Sequence, residues 1–154
     1  MTHDSLKIAV DFDGTIVEHA YPEIGEEMIF AFETLKALEK KGHMLILWTF
    51  RSGKKLDEAV EFCRDKGIEF YAINRSYPEE KFEDISNRKI EADIFIDDRN
   101  IGGFPGWGEV WQMIHPDSDE LKDKFKNFEA HMNYKRVQGK EPFMSRLLYL
   151  ITLI

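Results

Sequence analysis

The chain has 154 residues, 43% hydrophobic and 32% charged, with a formal net charge of −8. That length suits one well-buried α/β domain rather than two, and an acidic balance without any dense run of Lys and Arg excludes general affinity for nucleic-acid backbones. The lone cysteine, Cys63, excludes an intramolecular disulfide; no apolar run is long enough to span a bilayer; and the opening MTHDSLK lacks the charged and apolar regions of a signal peptide, so a cytoplasmic protein is expected.

Lys7 to Phe12 (KIAVDF) is the first apolar run, ended by Asp13-Gly14. Continuous hydrophobicity at this length predicts a strand buried on both faces, as in a parallel sheet. After a polar loop from Glu18 to Gly25, Met28, Phe32, Leu35 and Leu38 form one helical stripe stopped by Gly42. His43 to Thr49 reads as the second strand. Lys54 to Lys66 reads as the second helix, with Leu56, Ala59, Val60 and Cys63 on one face and Gly67 as its stop. Phe70 to Ile73 and Ile94 to Asp97 are the third and fourth strands, separated by a polar, irregular stretch from Asn74 to Arg88. A Gly-rich loop, Asn100 to Gly108, leads into a short helical segment from Glu109 to Ile114.

Strands alternating with helices predict a doubly wound, Rossmann-like and mainly parallel sheet over residues 1–116. Residues 117–154 form a C-terminal tail of different character. Ser118 to Met132 is amphipathic, with Leu121, Phe125 and Phe128 inward, and the final PFMSRLLYLITLI is apolar on nearly every side. Such a segment packs on the core or makes a homodimer contact, because an exposed patch of that kind is a liability.

Ligands of such sheets bind beyond the carboxyl ends of the strands, and the suggestive residues stand there: Asp11 and Asp13, Thr49, Asp97 and Asp98. Asp11 and Asp13 are two apart, so in extended backbone they share a face and both reach one phosphoryl group. One can attack while the other moves a proton, and Gly14 lets the chain turn. An EF-hand calcium loop is excluded, because Thr15 and Ile16 occupy its third ligand and glycine positions. The adjacent carboxylates of Asp97 and Asp98 repel unless a proton or cation compensates, and magnesium is the natural compensator. Thr49 offers a hydroxyl to a phosphoryl oxygen. Lys89, with Arg88 and Lys81 as rivals, offers a cation just ahead of the fourth strand.

In this order the residues resemble the signature motifs of the haloacid dehalogenase superfamily of phosphohydrolases. DFDGT at Asp11 to Thr15 resembles the first motif, the apolar strand ending in Thr49 the second, Lys89 the third and IDD at Ile96 to Asp98 the fourth. The stretch KIEADIFIDDR also resembles the equivalent region of small nucleotidase-like members. The resemblance covers roughly Lys7 to Ile114. It implies that Asp11 attacks phosphorus to form an aspartyl-phosphate and that Asp13 serves as acid and then base. It further implies that Mg²⁺ is held by Asp11, the Asp13 carbonyl and Asp97, with Asp98 in support. Superfamily members often insert a cap domain, but a loop, a helix and a strand use up Asp11 to Thr49, and Thr49 to Lys89 is filled likewise. A capless phosphatase acting on a nucleotide or another small phosphorylated metabolite is therefore expected.

A receiver domain combines similar groups on a similar sheet, but there the acidic pair precedes the phosphorylated Asp, and nothing in it corresponds to Asp13. A phosphoryl-binding regulatory module without turnover, or phosphotransfer to an acceptor other than water, would carry the same residues. No Walker loop is present at Gly53-Lys54-Lys55, and the five histidines lack paired zinc spacing. His19 lies in the loop after the first motif, where it either touches substrate or sits on the surface. Arg51 either binds a second anionic group of the substrate or makes a helix-flanking salt bridge. Tyr21, Phe50, Phe104 and Trp107 either stack on a base or pack the core edge.

Overall fold

The computed structural model describes residues 5–81 and 88–125. The elements run β1 (Lys7–Val10), α1 (Ala31–Lys40), β2 (Met44–Leu47), α2 (Gly53–Asp65), β3 (Ala72–Ile73), β4 (Ile94–Ile96) and α3 (Trp107–Ile114). Every strand pairing is parallel, in the order β3-β2-β1-β4, which makes this an α/β fold on a small four-stranded sheet. Ala9 pairs with Ile46 on one side and Phe95 on the other, which places β1 at the centre. The chain moves outward from β1 through β2 to β3, then returns to the opposite side of β1 as β4. The order thus reverses between β1 and β4, where a crevice opens at the carboxyl ends of the strands.

Unbroken apolar runs in β1 and β2 have the expected consequence, since Ile8, Ala9, Val10, Leu45, Ile46 and Leu47 are all buried. The strands are shorter than their apolar runs. Asp11 and Phe12 leave the ladder after the Asp11 N–H donates to the Ile96 carbonyl at 2.9 Å, and Trp48 leaves β2 after donating to the Val10 carbonyl at 2.8 Å. β4 lies at a sheet edge, so Phe95 on it is partly exposed. Helix α1 begins at Ala31, after Phe30 turns in a left-handed conformation (φ 64°), so Met28 precedes the helix instead of joining its stripe. Met28 is used otherwise: its N–H donates to the Ile16 carbonyl at 2.9 Å. Helix α3 starts at Trp107, two residues ahead of the expected Glu109, because the buried Trp107 and Trp111 anchor it.

The chain divides into compact units at Ile114/His115, next to the expected boundary at residue 116. In the second unit, Leu121 and Phe125 are buried, and the Phe125 N–H donates to the Leu121 carbonyl at 3.1 Å, one turn of the expected helix. Phe128 and the apolar segment 142–154 lie outside the described residues. Among the described residues, no helix is long and apolar enough to cross a membrane.

Cys63, on the inner face of α2, is 0% exposed, and burial pushes its thiol up to about 12. A buried, protonated thiol is inert. The native protein at pH 8 should therefore show almost no reaction with a chromogenic disulfide reagent, and one equivalent should react after unfolding in guanidinium. Rapid labelling of the native protein would show that α2 opens.

Candidate active site

Phe12 orients the end of β1. Its ring is fully buried and meets Phe62 of α2 edge-on, with centroids 6.2 Å apart. Alternation then sends its neighbours, Asp11 and Asp13, to the opposite side, toward the crevice. The Phe12 carbonyl accepts from the N–H groups of Ile16 at 2.9 Å and Val17 at 3.1 Å, which closes a tight turn. Gly14 sits in that turn with φ 88°, and a Cβ there would overlap His19 Nε2 and Asp98 Oδ2. Beyond the turn, Val17 pairs antiparallel with Glu27, so residues 18–26 form an excursion that carries His19, Tyr21 and Pro22 back over the strand ends.

Thr15 joins the two acidic motifs. Its buried hydroxyl accepts from the Asp98 N–H at 3.1 Å, and its carbonyl accepts from the Trp107 indole N–H at 2.8 Å. Carboxylate oxygens of Asp11, Asp97 and Asp98 consequently lie within 4.8 Å of one another, the donor set of a hard divalent cation. Asp98 Oδ2 is 2.7 Å from His19 Nε2, while its buried Oδ1 has no hydrogen-bond partner among the described residues. Burial above all pushes the Asp11 carboxyl up to about 7. The Phe12 N–H opposes this shift, and the charges of Asp97, Asp98 and Asp13 add to it.

Asp13 is met by Arg51. The guanidinium, 2% exposed, donates Nε–H to Asp13 Oδ2 and Nη2–H to Asp13 Oδ1, both at 2.7 Å. It also donates to the Pro22 carbonyl at 3.2 Å and the Glu23 carbonyl at 2.6 Å, and it lies over the rings of Phe12 and Tyr21, 5.0 and 5.3 Å from their centroids. Its hydrogen bonds to Asp13 push the guanidinium further up, against the effect of its burial. Arg51 therefore ties the end of β2 to the end of β1 and to the excursion. Of the two roles its position suggested, the structure shows a salt bridge made just ahead of α2, with Asp13 as the partner.

A cavity of about 580 Å³ opens over these groups and is lined by Asp11, Asp13, Asp97, Thr49 and Arg99, among others. Four of the expected site residues thus face one space, and Asp98 adjoins them through the acidic cluster. Thr49 is held by its N–H, which donates to Asn74 Oδ1 at 2.8 Å, and its hydroxyl accepts from the Arg51 N–H at 3.2 Å. Lys89 is exposed and does not line the cavity; nor do Arg88 and Lys81. The next residue, Ile90, is buried against Ala9, Ile46 and Ala72, and the Glu91 N–H donates to Ser76 Oγ at 3.0 Å, which seats this segment on the sheet face. Among the described residues, the Arg and Lys side chains that line the cavity are Arg51 and Arg99. Of the four aromatic candidates, Phe104 and Trp107 pack on each other with centroids 5.4 Å apart, whereas Tyr21 and Phe50 reach the cavity.

The pairs Arg51–Asp13 and His19–Asp98 were not evident as pairs. The sequence separations are 38 and 79 residues, and only the topology brings them together.

No protein-family model and no curated protein matches the chain. Among solved structures, it is similar to a conserved protein coded by a locus of Bacteroides thetaiotaomicron. The two are 57% identical, the match covers 75% of this chain and 93% of that one, and the TM-score is 0.70.

Removing Arg51 leaves a poorly solvated carboxylate without its partner and frees the excursion. Arg51→Ala should cost about 3 kcal/mol in urea unfolding, with Arg51→Lys recovering only part because an ammonium lacks the planar fork; a loss below about 0.5 kcal/mol would mean that the pair is not a structural tie. The raised Asp11 carboxyl has a linkage consequence. The native state holds this proton more tightly than the unfolded chain, so its stabilising contribution is complete below pH 3.8 and is lost as pH rises through about 7. In metal-free buffer, Asp11→Asn should gain stability relative to wild type between pH 4 and pH 8, and millimolar Mg²⁺ should narrow the difference. A difference independent of pH would rule out the raised carboxyl.

Proposed function

We propose that this chain, which belongs to the same family as the conserved Bacteroides thetaiotaomicron protein, is a magnesium-dependent phosphohydrolase of the haloacid dehalogenase type, cleaving a phosphate monoester through Asp11. The observation that carries this reading is the meeting of Asp11, Asp97 and Asp98 within 4.8 Å, around a buried Asp98 oxygen that has no partner among the described residues. Crowded carboxylates with an unsatisfied oxygen are costly without a cation, and oxygen donors of this charge suit Mg²⁺. Asp11, Asp97 and Asp98, with the Asp13 carbonyl, would hold it. When bound, Mg²⁺ neutralises charge on the phosphoryl oxygens and on the carboxylates that face them.

The chain's own groups then have distinct tasks. The Asp11 carboxylate attacks phosphorus, so a bond forms from its oxygen to phosphorus while the ester P–O bond breaks. Asp13 gives a proton to the departing alkoxide. Asp13 then takes a proton from the water that attacks the aspartyl-phosphate, which restores Asp11 and releases phosphate. Thr49 donates its hydroxyl to a phosphoryl oxygen, and Arg99 supplies a positive charge at the cavity wall. Lys89, expected as the phosphate-site cation, keeps that role in the proposal only if its segment moves onto the cavity. The excursion bearing His19 and Tyr21 covers the strand ends where a cap would otherwise lie, consistent with a capless, doubly wound member. A small phosphorylated metabolite is the substrate this geometry suits.

Because Arg51 occupies both Asp13 oxygens, Asp13 must release one of them before it can transfer a proton. That observation favours a second reading, a phosphoryl-binding module without turnover. Hydrolysis of an aryl phosphate with and without Mg²⁺ separates the two. The wild type should turn over only with Mg²⁺, and Asp11→Asn should lose roughly 10³-fold or more in kcat. Equal turnover in the variant would remove Asp11 as nucleophile, and phosphate binding without hydrolysis would establish the module.

A further inference from the structure

Resting on the phosphohydrolase reading, we infer that the substrate is a phosphate monoester carrying an aromatic ring, and that Phe50 and Tyr21 at the cavity mouth hold that ring.

A volume of about 580 Å³ is far more than a phosphoryl group needs and falls within the usual range for sites that enclose a whole small ligand. Most polar groups at the wall already have partners. The Arg51 guanidinium donates to Asp13 and to the Pro22 and Glu23 carbonyls, the Thr49 N–H to Asn74, and Asp97 accepts from the Arg99 N–H at 2.8 Å. What remains for recognising the alcohol part of the ester is largely aromatic surface.

Phe50 is 95% exposed although it lies between two anchored residues, Thr49 and Arg51. Its backbone is fixed by those neighbours, so the ring is presented at the cavity instead of being folded away. Tyr21 is 59% exposed and has the Arg51 guanidinium 5.3 Å from its ring centroid. That contact, with the hydrogen bonds from Arg51 to Pro22 and Glu23, steadies the excursion and leaves much of the Tyr21 ring open. Exposed aromatic rings beside a polar reaction centre favour another planar ring, whose stacking adds to simple area burial. The residue order explains the arrangement: Phe50 stands between the hydroxyl of Thr49 and the guanidinium that positions Asp13, so one short segment serves both the phosphoryl group and the ring.

Two sources offer this chemistry, a nucleoside monophosphate and a simple aryl phosphate. Binding to the full-length Asp11→Asn protein with Mg²⁺, measured by calorimetry, distinguishes them without turnover. Adenosine 5′-monophosphate is compared with ribose 5-phosphate, and phenyl phosphate with methyl phosphate. In at least one pair, the ringed member should bind about tenfold tighter or more, and Phe50→Ala in the same background should reduce that ratio to about threefold or less. The pair with the larger ratio identifies the source. Ratios near one in both pairs would overturn the inference while leaving phosphate-ester binding intact. A ratio that survives both Phe50→Ala and Tyr21→Ala would also overturn it. Absence of binding by all four compounds would overturn it together with the reading on which it rests.

Discussion

Asp11, Asp13, Asp97 and Asp98 share the carboxyl ends of two neighbouring strands, and carboxylates so placed repel unless protons or cations intervene. Three of the four are answered differently. Arg51 meets Asp13 with two hydrogen bonds, His19 meets one oxygen of Asp98, and Asp11 retains its proton up to about neutral pH. The answers come from separate parts of the chain: the segment after β2, the excursion after β1, and burial beside the sheet. Much of the local architecture follows from this charge problem. The excursion is held down by the guanidinium, the guanidinium is held by Asp13, and Asp13 is aimed by Phe12.

The sheet makes such crowding sustainable. Its central strand is buried on both faces, and Phe12, between Asp11 and Asp13, carries the apolar alternation past the end of β1. Trp107 and Thr15 then lock the start of α3 and the Asp98 backbone to the first turn. Two motifs distant in sequence are thus fixed to each other through one threonine, whose hydroxyl and carbonyl are both engaged. Because these bonds lie in buried surroundings, their rupture would leave polar groups unsatisfied, and the site is held in advance of any ligand.

Preorganisation here has a chemical consequence. A guanidinium that occupies both Asp13 oxygens keeps the carboxylate in place but also competes with proton transfer from it. In the proposed reaction, a phosphoryl group entering beside Arg51 and Thr49 would change that balance, because it offers the same donors a new acceptor. The excursion bearing Tyr21 rests on the same guanidinium, which links the state of Asp13 to the wall that meets the rest of the substrate.

The local elements were legible in residue order because burial on both faces leaves a continuous apolar signature, as in KIAV and MLIL, and because glycines mark helix ends. Element ends were less legible: Asp11 and Trp48 fall just outside their strands, where one last backbone hydrogen bond replaces the ladder, Asp97 falls just past β4, and Phe30 delays α1 by a left-handed turn. The acidic motifs were legible through their joint placement at several strand ends, although an Asp-Gly pair alone commonly just ends a strand. Their chain order on its own determined which groups could converge, Asp11 and Asp13 with Thr49, Asp97 and Asp98. Only the tertiary structure decided that Arg51 pairs with Asp13, that His19 meets Asp98, that Lys89 stands away from the cavity, and which aromatic rings are core and which are mouth. The physical reason is that apolar periodicity and turn chemistry act over a few residues, whereas ion pairs and ring contacts depend on which strand ends the β3-β2-β1-β4 order makes neighbours.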